Sequence, residues 1–213
     1  MLAGDAGGGL RVYSRNGRLE RTLAAAAPVT AASFSPDGAL VLGAAGRVAM
    51  LWHAATGERL HALHLPGVVT SALFSRDGRF LLTTTAHGST VWRTDTGHPV
   101  GVLERRAARK AAFSPDGRLV ATLEAGKHAR VRVFDSRTGR LLYVLAPRIR
   151  LKRVELEGVA FSPDNRLLAT TGFQGTYLWN ARSGRQFGSR LVDKPDVTIA
   201  AAFSPDGNLL AVA

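Results

Sequence analysis

The sequence predicts an all-β protein assembled from repeated four-stranded antiparallel units. The pentapeptide Phe-Ser-Pro-Asp-Gly occurs at 34–38, 113–117 and 203–207, and near-copies fill the gaps at 74–78 and 161–165. These motifs begin at residues 34, 74, 113, 161 and 203, a spacing close to forty residues that is typical of a repeat architecture. An aromatic residue follows each of the first four motifs at a nearly constant distance.

The Ser-Pro-Asp-Gly part of the motif predicts a tight turn between two strands. Proline presets φ, Asp suits the third position and Gly accepts positive φ at the fourth. Asn165 replaces the glycine in one copy, and Asn is the next-best residue for that conformation. A short apolar run follows each turn and a segment rich in Val, Ala, Thr and Ser precedes it, so both flanks indicate the strands of a hairpin. The motif aromatics are Phe34, Phe74, Phe113, Phe161 and Phe203, and the turn aspartates are Asp37, Asp77, Asp116, Asp164 and Asp206.

The second set of aromatics predicts a third strand in each unit. A glycine falls five residues after each of these aromatics, in strings such as VWRTDTG and LWNARSG, and indicates a turn into a fourth strand. Four short antiparallel strands are the content of one β-propeller blade. We expect both sets of repeat aromatics to pack between blades. The second set comprises Trp52, Trp92, Phe134 and Trp179.

The order Phe-Ser-Pro-Asp-Gly, apolar strand, Leu-Trp-x-x-x-Thr-Gly resembles that of bacterial WD-repeat β-propellers. The residue after the aromatic is Asp only at Asp135, and a Gly-His pair before the first strand is absent. The resemblance therefore implies the fold, without the buried Asp–His–Ser/Thr–Trp hydrogen-bond network. It also implies a non-catalytic protein-interaction scaffold that can be fused to a signalling module outside this chain.

The repeat spacing predicts a single propeller domain over residues 1–213. Four whole blades are expected at about 28–66, 67–106, 107–153 and 154–194, with half blades at 1–27 and 195–213. Propellers contain about four to eight blades. The halves can close a five-bladed ring, or the chain can be a slice of a larger propeller; we expect the slice.

Charge points to an anionic partner. The chain carries 28 Lys and Arg against 16 Asp and Glu, a net charge of +12. Two basic clusters fall between the fourth strand of one blade and the first of the next, so they are expected as neighbours on one rim and as the candidate partner-binding residues. The clusters comprise Arg105, Arg106, Arg109 and Lys110, and then Arg148, Arg150, Lys152 and Arg153.

Nucleic acid is an alternative partner that the same clusters allow, but most aromatics are needed inside the repeats. Stacking platforms for bases are therefore not predicted. The leading function is an interaction scaffold whose rim loops bind a protein or peptide. An anion- or nucleic-acid-binding module is the alternative, and an enzyme on a propeller comes third.

No catalytic set, metal site or cofactor is predicted. Glu155 and Glu157 form a close acidic pair, which fits a charge-compensated edge better than acid–base chemistry. His61 and His64 are three apart on a predicted strand and so lie on opposite faces. His87 and His128 occupy corresponding loops but lack a third ligand. The Gly7–Gly9 run lacks the Lys-Ser/Thr of a phosphate loop.

The remaining composition gives few constraints on location. Cysteine is absent, which excludes disulfides and thiolate chemistry. No apolar run is long enough for a membrane span. Because no leader pattern follows Met1, the expected location is the cytoplasm.

Overall fold

The structure is a computed structural model that describes residues 1–213 except 26, 127–129, 146–155, 174, 189–190 and 192–197. The chain divides into two compact units, Met1–Ala107 and Ala108–Ala213. Every regular element in the described residues is a β-strand, and neighbouring strands within each sheet pair antiparallel. The all-β prediction is therefore confirmed.

The first unit contains one three-stranded sheet and two four-stranded sheets, in the orders β1-β2-β3, β4-β5-β6-β7 and β8-β9-β10-β11. Each sheet is a meander in which consecutive strands pair. Its strands are β1 (Leu2–Gly4), β2 (Gly9–Tyr13), β3 (Leu19–Ala24), β4 (Val29–Phe34), β5 (Leu40–Ala45), β6 (Val48–His53), β7 (Arg59–His64), β8 (Val69–Phe74), β9 (Phe80–Thr85), β10 (Gly88–Arg93) and β11 (Pro99–Glu104).

The second unit repeats this arrangement with two four-stranded sheets and one two-stranded sheet, in the orders β12-β13-β14-β15, β16-β17-β18-β19 and β20-β21. The four complete sheets have the strand order of propeller blades. Its strands are β12 (Ala108–Phe113), β13 (Leu119–Glu124), β14 (Val131–Asp135), β15 (Leu141–Leu145), β16 (Leu156–Phe161), β17 (Leu167–Gly172), β18 (Gly175–Asn180), β19 (Gln186–Phe187), β20 (Ala201–Phe203) and β21 (Leu210–Val212).

The Ser-Pro-Asp-Gly segments and their near-copies form the turns between the first two strands of every sheet except β1-β2-β3. In the first copy the Gly38 amide donates to the Ser35 carbonyl at 2.9 Å, and Gly38 has a φ of 73°. The Ser35 hydroxyl donates to the Asp37 carboxylate and accepts from the Leu40 amide at 2.9 Å. All five copies repeat the Ser–Asp bond at 2.5–2.6 Å. Asn165 adopts a φ of 62°, as the turn requires.

In the first unit, alternating apolar residues on both faces of the sheets form two core layers. Leu10 and Leu23 of the first sheet pack with Val41 and Trp52 of the second. The opposite face of the second sheet carries Leu42 and Leu51, which pack with Leu81 and Trp92 of the third. Strands with both faces covered show runs of buried residues rather than alternation, as in β5.

The core of the second unit has the same construction. Leu123, Val131 and Val133 of one sheet pack against Leu168 and Trp179 of the next, and all five are buried. Burial of such side chains contributes about 1.5–3 kcal/mol each.

Phe34 departs from the expectation that the repeat aromatics are packed between blades. Its side chain is 37% exposed, whereas Trp52, Trp92, Phe134 and Trp179 are buried. The neighbouring strand β1 is only three residues long and meets β4 near Val29, where Gly4 lies against the valine side chain. Phe34 is at the other end of β4, so β1 does not reach it.

Candidate partner-binding site

One end of the first unit is built from the loops between second and third strands and from the connections that lead to the next sheet. The β5–β6 loop contacts the β7–β8 connection through backbone hydrogen bonds. The Val69 amide donates to the Gly46 carbonyl at 2.8 Å, and the Leu65 amide donates to the Arg47 carbonyl at 2.9 Å. These bonds hold the two loops side by side.

The same surface continues into the following sheet. A Cβ added to Gly67 would lie 2.5 Å from the His87 ring, so the imidazole lies directly over this glycine. A Cβ on Gly88 would lie 1.9 Å from the Glu104 carbonyl oxygen and 3.3 Å from the Arg105 Cα. Glycine at both positions lets the three loops approach closely.

The exposed side chains of these loops form a surface that we call the arginine rim, defined as Arg47, Val68, His87, Arg105 and Arg106. All five residues are exposed, and Val68 is 55% exposed. The Arg47 guanidinium is held in place because it donates to the Pro66 carbonyl at 2.7 Å. The Arg47 guanidinium is therefore fixed against the same connection that carries the exposed Val68 side chain.

Carboxylates near the arginine rim are already compensated or buried. Asp5, in the β1–β2 loop, forms an ion pair with Arg11 at 3.0 Å and accepts amide bonds from Gly7 and Gly9. Glu104 is only 7% exposed. The rim therefore presents a net positive field to solvent, which attracts acidic partners.

The opposite end of the same unit carries charges of both signs. Asp77 lies 3.9 Å from Arg79, and Asp95 lies 2.5 Å from Arg93. Hydrogen bonding from Arg93 lowers the pKa of Asp95 and raises that of the arginine. Exposed pairs of this kind contribute little stability, but they reduce the local field.

The predicted basic clusters are distributed differently from the arginine rim. Arg105 and Arg106 follow β11 in the first unit, whereas Arg109 and Lys110 lie on β12 in the second. Arg109 forms an ion pair with Glu157 of β16. The second cluster lies outside the described residues, as does Glu155, so the adjacency of the two clusters stays a prediction. That cluster comprises Arg148, Arg150, Lys152 and Arg153.

The histidines occupy separate places. His61 Nε2 lies 3.1 Å from the Asp95 carbonyl oxygen, and His64 is exposed at the end of β7. His53 is half-buried at the end of β6, and His128 is outside the described residues. In the described part of the chain, no three His, Asp or Glu side chains are grouped as a metal site requires.

Two repeat tryptophans make buried hydrogen bonds to threonines. Trp92 Nε1 donates to the Thr83 hydroxyl at 2.8 Å, and Trp179 Nε1 donates to the Thr170 hydroxyl at 2.9 Å. Phe134 cannot donate, and the Thr122 hydroxyl on the adjacent strand is buried without a hydrogen-bond partner. These residues stabilise the sheets and do not contribute to the exposed site.

Reasoning from the sequence missed Arg47 and Val68. Arg47 is isolated in the sequence, so no cluster indicated it. Val68 follows a Pro-Gly pair in a sheet-to-sheet connection, and an apolar residue in such a loop is the signal that was available.

Comparison with known proteins supports the WD-repeat resemblance. Residues 17–53 match the family "WD domain, G-beta repeat" (WD40). This segment covers β3 to β6, so it joins the last strand of one sheet to the first three of the next.

Autophagy-related protein 18 of Meyerozyma guilliermondii is 42% identical over 80 residues, which are 37% of this chain and 14% of that protein. Neither finding supports the bacterial subgroup of the resemblance. No helix in the described residues has the length and apolar character that a membrane crossing needs. The chain thus carries a recognisable WD40 repeat within sheets that have the strand order of propeller blades.

Proposed function

We propose that this protein is a non-catalytic interaction scaffold whose arginine rim binds an acidic segment of a partner protein. The supporting observation is that Arg47, Arg105 and Arg106 belong to adjoining loops at one end of the first unit, where the nearby carboxylates are paired or buried. WD40 repeats typically form such scaffolds, and a rigid sheet scaffold that presents loops suits recognition.

Val68 adds an apolar contact to this site. Protein interfaces combine a desolvated centre with a polar rim, and arginine is enriched in them. An acidic segment that also carries an apolar side chain would place its carboxylates on the arginines and its apolar group against Val68. The contact can then exceed simple charge attraction.

An anion- or nucleic-acid-binding module is the alternative. The described loops at this end of the first unit contain no Phe, Tyr or Trp, so base stacking lacks its usual platform. This feature favours a protein partner over a single-stranded nucleic acid.

The test is binding of fluorescein-labelled octaglutamate to the full chain, followed by anisotropy at several salt concentrations. The double variant Arg105→Glu/Arg106→Glu is compared with Arg76→Glu/Arg79→Glu, which makes the same charge change at the opposite end. We expect the rim variant to weaken binding by about tenfold or more and the control variant to have a small effect.

Equal weakening by both variants would contradict a localised site and indicate general attraction to the charged chain. Oligothymidylate is measured in parallel. Tighter binding of the oligonucleotide, with the same dependence on Arg105 and Arg106, would replace the protein-partner proposal with the anion-binding alternative. A Val68→Ala variant tests the apolar contact with a peptide that alternates Glu and Leu.

A further inference from the structure

The outermost strand of one sheet in the second unit exposes three apolar side chains along its edge. The β15 edge, defined as Leu141, Leu142 and Val144, has exposed fractions of 41%, 36% and 39%. No described strand pairs with β15 on the side away from β14. This edge shares no residue with the arginine rim and does not depend on the proposed function.

The strand register identifies the residue of each fourth strand that lies opposite the repeat aromatic, so these residues can be compared directly. Leu141 lies opposite Phe134, as Arg59 lies opposite Trp52 and Pro99 opposite Trp92. At this position β7 carries a charge and β11 a proline, whereas β19 carries the polar Gln186, opposite Trp179. Charged residues and proline are the usual protection of exposed strand edges. The β15 edge lacks both.

The rest of β15 is firmly anchored, so the edge is a fixed template. Leu145 is fully buried, and the Tyr143 ring lies against Gly184 of the neighbouring sheet. The Tyr143 hydroxyl also donates to the Ala181 carbonyl. Leu142 and Val144 alternate with Tyr143 and therefore lie on the other face of the strand.

Charges at the two ends of β15 indicate what kind of molecule would bind along its edge. Arg140 precedes Leu141 and is exposed. Arg130, also exposed, precedes Val131, which lies opposite Leu145 at the far end of the strand. An extended peptide on this edge would meet a cation at each end and apolar side chains between them.

We propose that the β15 edge binds an extended peptide by strand addition, and that this peptide has alternating apolar side chains flanked by carboxylates. Main-chain hydrogen bonds to an open edge supply affinity in such complexes, and side-chain contacts supply specificity. A second copy of this chain is disfavoured as the occupant, because it would add another +12 of net charge and bring arginines toward arginines.

The probe is the fluorescein-labelled peptide Asp-Val-Thr-Val-Thr-Val-Asp, and its matched control has proline at the central valine. Proline removes one main-chain donor and is not tolerated inside a strand ladder. Binding is measured by anisotropy with the full chain, and hydrogen exchange reports protection of the β15 amides.

We expect the valine peptide to bind, to protect β15, and to lose about tenfold in affinity with the proline peptide or with Val144→Lys. Leu142→Lys provides a second edge variant, and Ala62→Lys on β7 is the control for added charge. Arg140→Glu should weaken binding by about threefold or more, as loss of an exposed charge pair predicts.

Equal binding of the valine and proline peptides would overturn strand addition. Insensitivity to both lysine variants would overturn the location on β15. Absence of peptide binding, with self-association that Val144→Lys abolishes, would assign the edge to a second copy and overturn the peptide as occupant.

Discussion

The indole nitrogen of Trp92 donates a hydrogen bond to the Thr83 hydroxyl, 2.8 Å away on the adjacent strand. Both residues are buried, and the same bond joins Trp179 to Thr170. In the sheet formed by β12–β15, Phe134 takes the place of tryptophan and the Thr122 hydroxyl is left unpaired. The protein therefore forms this hydrogen bond in two sheets and lacks it in a third.

The intact bond predicts a stability difference between two equivalent substitutions. Thr83→Val should lower the free energy of unfolding by about 1–3 kcal/mol, because the buried indole donor loses its partner. Thr122→Val should be neutral or stabilising, since it removes a hydroxyl that is already unpaired. Urea unfolding of each variant checks this, and equal losses in both would contradict the role of the hydrogen bond.

The turn aspartates predict loss of stability in acid. Hydrogen bonds from Ser35, Ser162 and Ser204 lower the pKa values of Asp37, Asp164 and Asp206 below 3.8. A lowered pKa in the folded state stabilises the protein above the unfolded value, and this contribution is lost as pH falls through the folded value. Thermal melts should therefore decline below about pH 4.

A single turn isolates this effect. In Ser162→Ala, the largest cause of the lowered pKa of Asp164 is removed, so its carboxylate should titrate at a higher pH. Asp37 serves as the internal control, because its own serine is unchanged. Carboxyl carbon NMR titration measures both groups, and an unchanged Asp164 would refute the assignment of the cause.

The raised pKa of Tyr143 predicts a loss of stability at alkaline pH. Burial raises its pKa to about 12. A raised pKa in the folded state gives a contribution that is complete below the unfolded value of 10.0 and is lost as pH rises toward 12. Ultraviolet titration should show a late phenolate that Tyr143→Phe removes, and this variant should lose about 1 kcal/mol with the Ala181 hydrogen bond.

Alanine substitutions at two glycines of the first unit should destabilise the protein to different extents. Gly97 and Gly38 have φ values of 66° and 73°, so alanine costs about 1–2 kcal/mol of backbone strain at either position. A Cβ at Gly97 would lie 2.8 Å from the His61 ring, whereas a Cβ at Gly38 would meet nothing within 4 Å. Gly97→Ala should therefore destabilise more, as measured by unfolding midpoints.

Displacement of the His61 ring is the expected cause of that difference. The double variant His61→Ala/Gly97→Ala should recover part of the loss, because the added methyl group then has space. Equal midpoints for Gly38→Ala and Gly97→Ala would show that backbone strain alone determines the cost.

The repeat allowed the strands and turns to be predicted because each motif acts through local chemistry. Pro, Asp and Gly define a turn within five residues, and Asn165 was recognisable as a substitute for glycine. The exposure of Phe34 was not predictable from its motif, since it depends on how far the separate strand β1 extends.

The candidate site was less accessible to such reasoning. Arg109 belongs to a predicted basic cluster, yet it is paired with Glu157, 48 residues away in sequence. Arg47 gains its fixed position from the Pro66 carbonyl, a contact between two loops. Pairings of this kind follow from the stacking of sheets, which local sequence does not report.

The Ser-Pro-Asp-Gly turns have a consequence for how the chain folds. In each copy the serine hydroxyl and the aspartate carboxylate bond to groups within five residues, so the turn needs no distant segment to complete it. Hairpins with local contacts form within microseconds. The nascent chain can therefore close one hairpin at each repeat as it emerges, and the slower step is the docking of one finished sheet on the next.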